Sequence, residues 1–401
     1  MIRRTITFLA WAFIIIGCIT IVFFLFKSSH EGFSAALNEA TNYTVSGQFG
    51  DFIGGVVGTL FALAGTLLIF LTFREQANQN SRNEIENRRN SFERNFFQML
   101  NIHRANVGEL TYKKHRKGKE NTYEKRQVIK VIFDEFTDCY REVTKFSSSE
   151  DIKDYCNPDY QGKLMGIVAR INPSISLVEM ARIDIAYLVM FYGLGEEGEV
   201  VLRENFKKKY KPEYYFRLLF FLKMKPKKSN HDRYQKWKEV REMPLPELSV
   251  LIDVLYPDRN NLKKVDPKTY AGGLKLHLFY EKYYGGHQFR LGHYFRHLYQ
   301  SYKYLNNRVD ICDHEKYAYG KTFRAQLSTY EQALIFVNSL STIGMRWEYF
   351  PEETVNERVR TDLITFYNLI KNLPGEHIYG IKYDTYYPNV DYESREQLFQ
   401  E

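Results

Sequence analysis

The chain has 401 residues, 16% of them aromatic with 31 Tyr and 30 Phe, enough apolar surface for a large core and too much for a disordered polypeptide. Its four cysteines, Cys18, Cys139, Cys156 and Cys312, are far apart and form no Cys-x-x-Cys pair, which argues against a zinc or dithiol centre and for reduced thiols. The formal charge of +8 is concentrated in Arg203–Arg241, where 14 Lys/Arg stand against 4 Asp/Glu, so the remainder is close to neutral.

The first element, "TITFLAWAFIIIGCITIVFFLF" from Thr5 to Phe26, carries no charge over the roughly 20 residues a helix needs to cross a bilayer. It is too long for the apolar region of a signal peptide and lacks a small-residue cleavage site. A second uncharged run, Phe52 to Phe73, predicts another span. Arg3 and Arg4 precede the first, and Arg74, Arg82, Arg88 and Arg89 follow the second, whereas Lys27 is the one Lys/Arg between them. Positive-inside asymmetry therefore predicts both termini and the main domain on the cytoplasmic side, with the bilayer as a partner. Gly54, Gly58 and Ala62 recur every four residues, a face for packing within the hairpin or, alternatively, between protomers of a homo-oligomer. Asp51 is expected to cap the start of the second span.

Beyond Phe73 the charged and amide-rich stretch from Arg74 to Arg94 predicts a solvated helical stalk, and Phe92, Phe96, Leu100, His103 and Val107 then fall on one apolar face. "NPSISLVEMARIDIAYLVMFYGLG" reads as a helix with Ser176 and Glu179 as a capping box and Gly193 as its stop. The basic segment, with Lys207, Lys208, Lys209, Lys211, Lys223, Lys225, Lys227 and Lys228, reads as a basic surface, and "KMKPKKSNHD" within it as an exposed loop. Such a surface fits anionic lipid, a protein partner or RNA. "PLPELSVLIDVLY" and "DPKTYAGGLKLHLFYEKYY" predict two further short helices, Ser328 and Glu331 another capping box, and "RTDLITFYNLIKNLPGEHIYG" a helix stopping before Pro374. "YDTYYPNVDYE" closes the chain as a tail or a docked loop. Hairpin signals are missing, so the fold class is mainly α. The segments are a transmembrane hairpin over 1–75 with helices at about 5–26 and 52–73, a stalk over 76–94, a helical cytoplasmic domain over 95–375 and a C-terminal tail over 376–401.

The densest candidate chemistry is "GGHQFRLGHYFRHLYQSYKYLNN", from Gly285 to Asn307. His293 and His297 share a helix face, yet no acid lies in the segment to serve as base or third ligand, which argues against a metal site. Arg290 and His297 fit an Arg-x(4 to 6)-His spacing found in helical ribonucleases, where His moves a proton and Arg steadies the phosphate. Roughly two such spacings arise by chance at this composition. Arg308 to His314 is the second here. Tyr294, Leu298, Tyr302 and Leu305 form a core-facing stripe instead. No Walker loop, dinucleotide fingerprint or nucleophile elbow occurs, so no cofactor is expected.

"GHYFRHLYQSYKYL", "FRAQLSTYEQALIFVNSLS" and "FYNLIKNLP", preceded by "FERNFFQML" and "AYLVMFYGLG", resemble the AbiC-like phage abortive infection family of bacteria over about Phe92 to Pro374. The family's Tyr-Phe-Arg-x-Leu-Tyr element falls on Tyr294, Phe295, Arg296, Leu298 and Tyr299. Its Arg-Ala-Gln-Leu-Ser element includes Arg324, Gln326 and Ser328, with Glu331 following in the helix. The resemblance implies an antiphage protein anchored in the bacterial inner membrane, acting as sensor or effector with a phage or host protein as candidate partner, and brings no established catalytic residues. Arg296 and Arg324 are expected to organise the domain through buried bonds. A ribonuclease-like enzyme using Arg290 or Arg296 with His293 or His297, and a non-enzymatic scaffold for a defence partner, are the alternatives.

Overall fold

The structure, a computed structural model, describes residues 2–30, 42–116, 119–255, 282–349 and 360–394. They fall into two compact units, 1–95 and 96–401.

In the first unit, α1 (Ile2–His30) and a second helical run are both long and apolar enough to cross a bilayer by length and composition. The second run begins at Tyr43, nine residues before the apolar stretch, because Asn42 caps it by accepting the Val45 N–H at 3.4 Å. Asp51 is consequently an exposed residue inside α2 (Tyr43–Phe52) and not a cap. One π turn at Ile53–Val57 absorbs the glycines, and α3 (Gly58–Gly108) continues without a break, since no proline interrupts it. The two runs lie antiparallel. Arg3 sits 3.8 Å from Glu75, and Phe24 stacks on Phe52 with ring centroids 4.1 Å apart.

Gly17 of α1 makes the closest approach, because a Cβ there would meet the Phe61 ring at 2.6 Å. Ala10, Val57 and Ala64 are buried in this unit. Gly54, Gly58 and Ala62 are exposed instead, so the expected packing of the pair through that face is not what forms. Bulky Val57 and Phe61 supply the area that glycines lack.

The second unit is helical around a core of α4 (Arg126–Phe146), α6 (Leu177–Tyr192) and α13 (Thr329–Leu340). α6 is apolar on nearly every side, the pattern of a fully enclosed helix, and every residue from Met180 to Phe191 is buried. Ser176 caps it by accepting the Glu179 N–H at 3.2 Å, and Gly193 ends it with φ +80°. Around this core lie α5 (Pro158–Ile171), α7 (Glu196–Lys207), α8 (Pro212–Lys223), α9 (His231–Glu242), α10 (Leu245–Leu255), α11 (Gln288–Asn306) and α12 (Asp313–Arg324). Most of "DPKTYAGGLKLHLFYEKYY" lies outside the described residues.

Three elements depart from expectation. An antiparallel hairpin, β1 (Thr111–Arg116) with β2 (Lys119–Glu124), pairs Tyr112 with Tyr123 and Lys114 with Asn121. The helix before Pro374 is confined to α14 (Leu363–Phe366), because Asn368 turns to φ +50°. The tail is core as far as it is described: Tyr383, Tyr386, Tyr387, Val390 and Tyr392 are buried around α15 (Tyr383–Tyr386). Tyrosine can do this because its hydroxyl finds partners. Tyr387 Oη lies 2.6 Å from Ser339 Oγ, and the Tyr392 hydroxyl donates to the Tyr387 carbonyl at 3.1 Å.

Candidate functional site

The site grows from two backbones in unusually close contact. Leu194 N–H donates to the Tyr284 carbonyl and His287 N–H to the Phe191 carbonyl, each at 2.8 Å, which lays the strand-like stretch before α11 across the end of α6. Gly286 has φ +84°, and a Cβ on it would lie 2.5 Å from the Tyr192 carbonyl oxygen, while one on Gly193 would lie 2.6 Å from the Gly285 carbonyl carbon.

This contact fixes where His287 points. Its Nε2 is 2.8 Å from Glu135 of α4, a carboxylate only 1% exposed. Lys114 Nζ from β1 reaches the same carboxylate at 2.7 Å, and the Tyr112 hydroxyl donates to it at 2.8 Å. Burial alone would raise the pKa of Glu135, but His287 and Lys114 outweigh it and draw the carboxyl down to about 2.

Two turns further along α4, Glu142 accepts from Lys225 Nζ at 2.6 Å and from the Tyr284 hydroxyl at 2.7 Å. Between these two carboxylates, Asp138 accepts from the Tyr283 hydroxyl at 2.6 Å. One helix face therefore holds the β hairpin, the 225–228 turn and the entry to α11 through three acids.

The eight lysines of the expected basic surface divide accordingly. Lys207, Lys208 and Lys211 are exposed, and Lys223, Lys227 and Lys228 are half-buried. Lys209 and Lys225 are buried, contrary to a surface reading, because each neutralises a buried acid. Lys209 Nζ lies 2.8 Å from Asp184 of α6. That carboxylate also accepts from the Tyr210 hydroxyl at 2.9 Å and from the Thr342 N–H and hydroxyl at 2.8 and 2.9 Å. "KMKPKKSNHD" is thus anchored through Lys225 and not a free loop.

The sequence candidates on α11 do not converge. His293 and Arg296 are exposed, and Arg296 makes no hydrogen bond or ion pair among the described residues, so it does not organise the domain as expected. His297 Nε2 is 2.9 Å from the Met99 carbonyl, whereas Arg290 Nε donates to the Thr111 carbonyl at 2.9 Å with its guanidinium 4.7 Å from the Tyr112 ring centre. Arg and His are thus held by β1 and α3 respectively, each satisfied by backbone. Among the described residues no group of three or more His, Cys, Asp or Glu could hold a metal ion.

The remaining motif residues are structural. Tyr294, Phe295, Leu298 and Tyr299 are buried, and the Tyr294 hydroxyl donates to Glu331 at 3.1 Å. Glu331 closes a full capping box with Ser328 and lies 3.5 Å from Arg126 and 3.8 Å from His103. Burial first, then the charges of His297 and Arg126, push His103 down to about 4, so it is neutral near pH 7. Arg324 donates to the Tyr367 and Asn368 carbonyls at 2.8 and 3.2 Å and holds the turn after α14, as the sequence led one to expect of it. Gln326 accepts from Arg104 Nε at 3.0 Å.

Glu135, Lys114, Tyr112 and Asp184 escaped sequence reasoning. The available signal was the acid spacing in "FDEFTDCYRE", where Glu135, Asp138 and Glu142 sit three and four residues apart on a helix that is otherwise core.

Residues 286–378 match the model of a family described as "Putative phage abortive infection protein". The matched stretch runs from the glycine that seats α11 through α12, α13 and α14. No curated protein and no solved structure matches the chain.

Proposed function

We propose that the chain is a bacterial antiphage protein of the AbiC-like abortive infection family, anchored in the inner membrane with both termini and the main domain in the cytoplasm, acting as sensor or effector of abortive infection; the family match over residues 286–378 supports this. The family match is the observation that carries the reading. The two long apolar helices support anchoring, and the arginine asymmetry around them supports the orientation. A non-nucleolytic action is favoured by the separation of Arg290 and His297, each bonded to a different backbone carbonyl.

Plaque assays test this on cells expressing the wild type, a deletion of residues 1–75 and His293→Ala or His297→Ala, with abundance measured by immunoblot. The deletion is expected to abolish protection and the histidine variants to keep most of it. Full protection by the soluble fragment would sink the membrane reading. Loss of protection by a histidine variant at normal abundance would restore the ribonuclease alternative.

A further inference from the structure

The face of α4 that carries Glu135 and Asp138 is also the floor of a divided cleft. Its walls are the β1–β2 hairpin on one side and the 227–229 turn on the other. One chamber, of about 100 Å3, is lined by four lysines, Lys113, Lys114, Lys227 and Lys228, together with Ser229. The other, of about 210 Å3, is lined by Tyr123 and Tyr379, by Asp134 and Asp138, and by Arg141. Lys114, Lys228 and Tyr283 belong to both.

The partition is rigid. The Tyr283 hydroxyl is tied to Asp138 at 2.6 Å, and the ammonium groups of Lys225, Lys114 and Lys228 lie 3.8, 5.2 and 5.9 Å from its ring centre. The carboxylate facing the lysine chamber from α4 is already saturated, because Glu135 carries Lys114, His287 and Tyr112. The lining of that chamber is thus predominantly cationic, four lysines and a serine hydroxyl against Glu135 and Glu120. Ammonium groups at this density match phosphoryl oxygens.

The second chamber asks for different chemistry. Asp138 accepts from the Tyr283 hydroxyl and lies 3.8 Å from Lys225 and 3.9 Å from Arg141, and carboxylates, with several lone pairs each, match amine and hydroxyl donors. Tyrosine faces stack on flat heterocycles with no requirement for a particular base. A ligand satisfying both halves at once has an anionic end and an aromatic end rich in N–H and O–H groups.

We propose that this cleft binds a nucleoside phosphate, with the phosphates among Lys113, Lys114, Lys227 and Lys228 and the nucleoside against Tyr123, Tyr379 and the two aspartates. The inference does not depend on the defence reading, since it is measured as binding to the purified protein. Because Lys114 and Tyr112 hang from the hairpin while Glu135 and His287 belong to the core, occupancy would tie the hairpin to the seat of α11.

The test is titration calorimetry on the full-length protein in detergent, with ATP, GTP, CTP and UTP as probes and pyrophosphate and adenosine as the separated halves. At least one nucleotide is expected to bind more tightly than either half. Lys113→Gln combined with Lys228→Gln should weaken it by about tenfold or more, the scale of one charge-assisted bond, while the exposed Lys208→Gln leaves it unchanged. Tyr123→Ala should weaken the nucleotide and spare pyrophosphate. Absence of nucleotide binding at millimolar concentration to folded protein overturns the proposal. So does pyrophosphate binding as tightly as any nucleotide, which would mean a plain anion site, or an RNA oligonucleotide binding in preference to all four mononucleotides, which would mean a strand groove. The lysine variants retain the core acids and their partners, and unchanged tryptophan emission from buried Trp237 and Trp347 verifies that they fold.

Discussion

Replacing Glu135 by Gln removes a charge and keeps the shape, which makes it the sharpest probe of the polar network. The carboxyl is held near 2 in the folded protein against 4.5 for the free side chain. At ~1.4 kcal/mol per unit, that depression corresponds to ~3 kcal/mol of folding stability at neutral pH. Losing one partner of a buried ion pair costs a similar ~3–5 kcal/mol, since Lys114 and His287 are left facing a neutral amide. The sign follows from the lowered folded value. This stability is fully present above pH 4.5 and is lost as pH falls from there through about 2. The assay is urea unfolding of the full-length protein in detergent, followed by emission of the buried Trp237 and Trp347 at pH 7 and at steps down to pH 3. Wild type should lose stability across the acid steps, and Glu135→Gln should start ~3 kcal/mol lower and lose less. A double variant with His287→Ala measures the coupling directly. A Glu135→Gln protein within about 0.5 kcal/mol of wild type at pH 7, or with an unchanged acid slope, would refute the assignment of this cluster as a major tie between α4, the hairpin and α11.

Two further outcomes follow from the same geometry. His103, lowered to about 4 and packed 5.3 Å from the Tyr294 ring and 5.2 Å from Phe323, should remain neutral to near pH 5 by its imidazole NMR shifts. Since the unfolded chain takes up that proton near pH 6.5, stability should fall between 6.5 and 4, and His103→Phe should flatten that part of the profile. Gly286→Ala must place a methyl against the Tyr192 carbonyl at a φ of +84°, so a loss of ~2–3 kcal/mol in thermal or urea unfolding is expected.

What the sequence made legible was local. The α6 cap at Ser176, the capping box at Ser328 and Glu331, and the apolar stripe of α11 each depend on residues within a few positions of one another, and each appears in the structure. Charge pairing was not legible, because its partners are remote. Lys209 and Asp184 are 25 residues apart, Lys225 and Glu142 are 83, and either lysine viewed alone resembles its exposed neighbours. The hairpin was missed for a related reason. Its inward positions are occupied by Tyr112 and Lys114, whose alternation with Thr111 and Lys113 gives no apolar period of two, and the lysine faces inward only because Glu135 is there. On α11 proximity in the chain did not mean joint chemistry, since His293 is exposed while His297 is turned to the Met99 carbonyl.

The touching backbones at Gly193 and Gly286 have a consequence for descent. Neither position can drift by itself, because a side chain at one is blocked by the main chain at the other, and repair would require moving a whole helix end. The matched family segment begins at Gly286, while Gly193 lies more than ninety positions upstream, outside it. A lineage that rebuilt the region upstream of that segment would thus inherit a silent obligation to keep a bare methylene where α6 ends. Recombinants that splice the matched C-terminal segment onto an unrelated partner should survive only when that obligation is met.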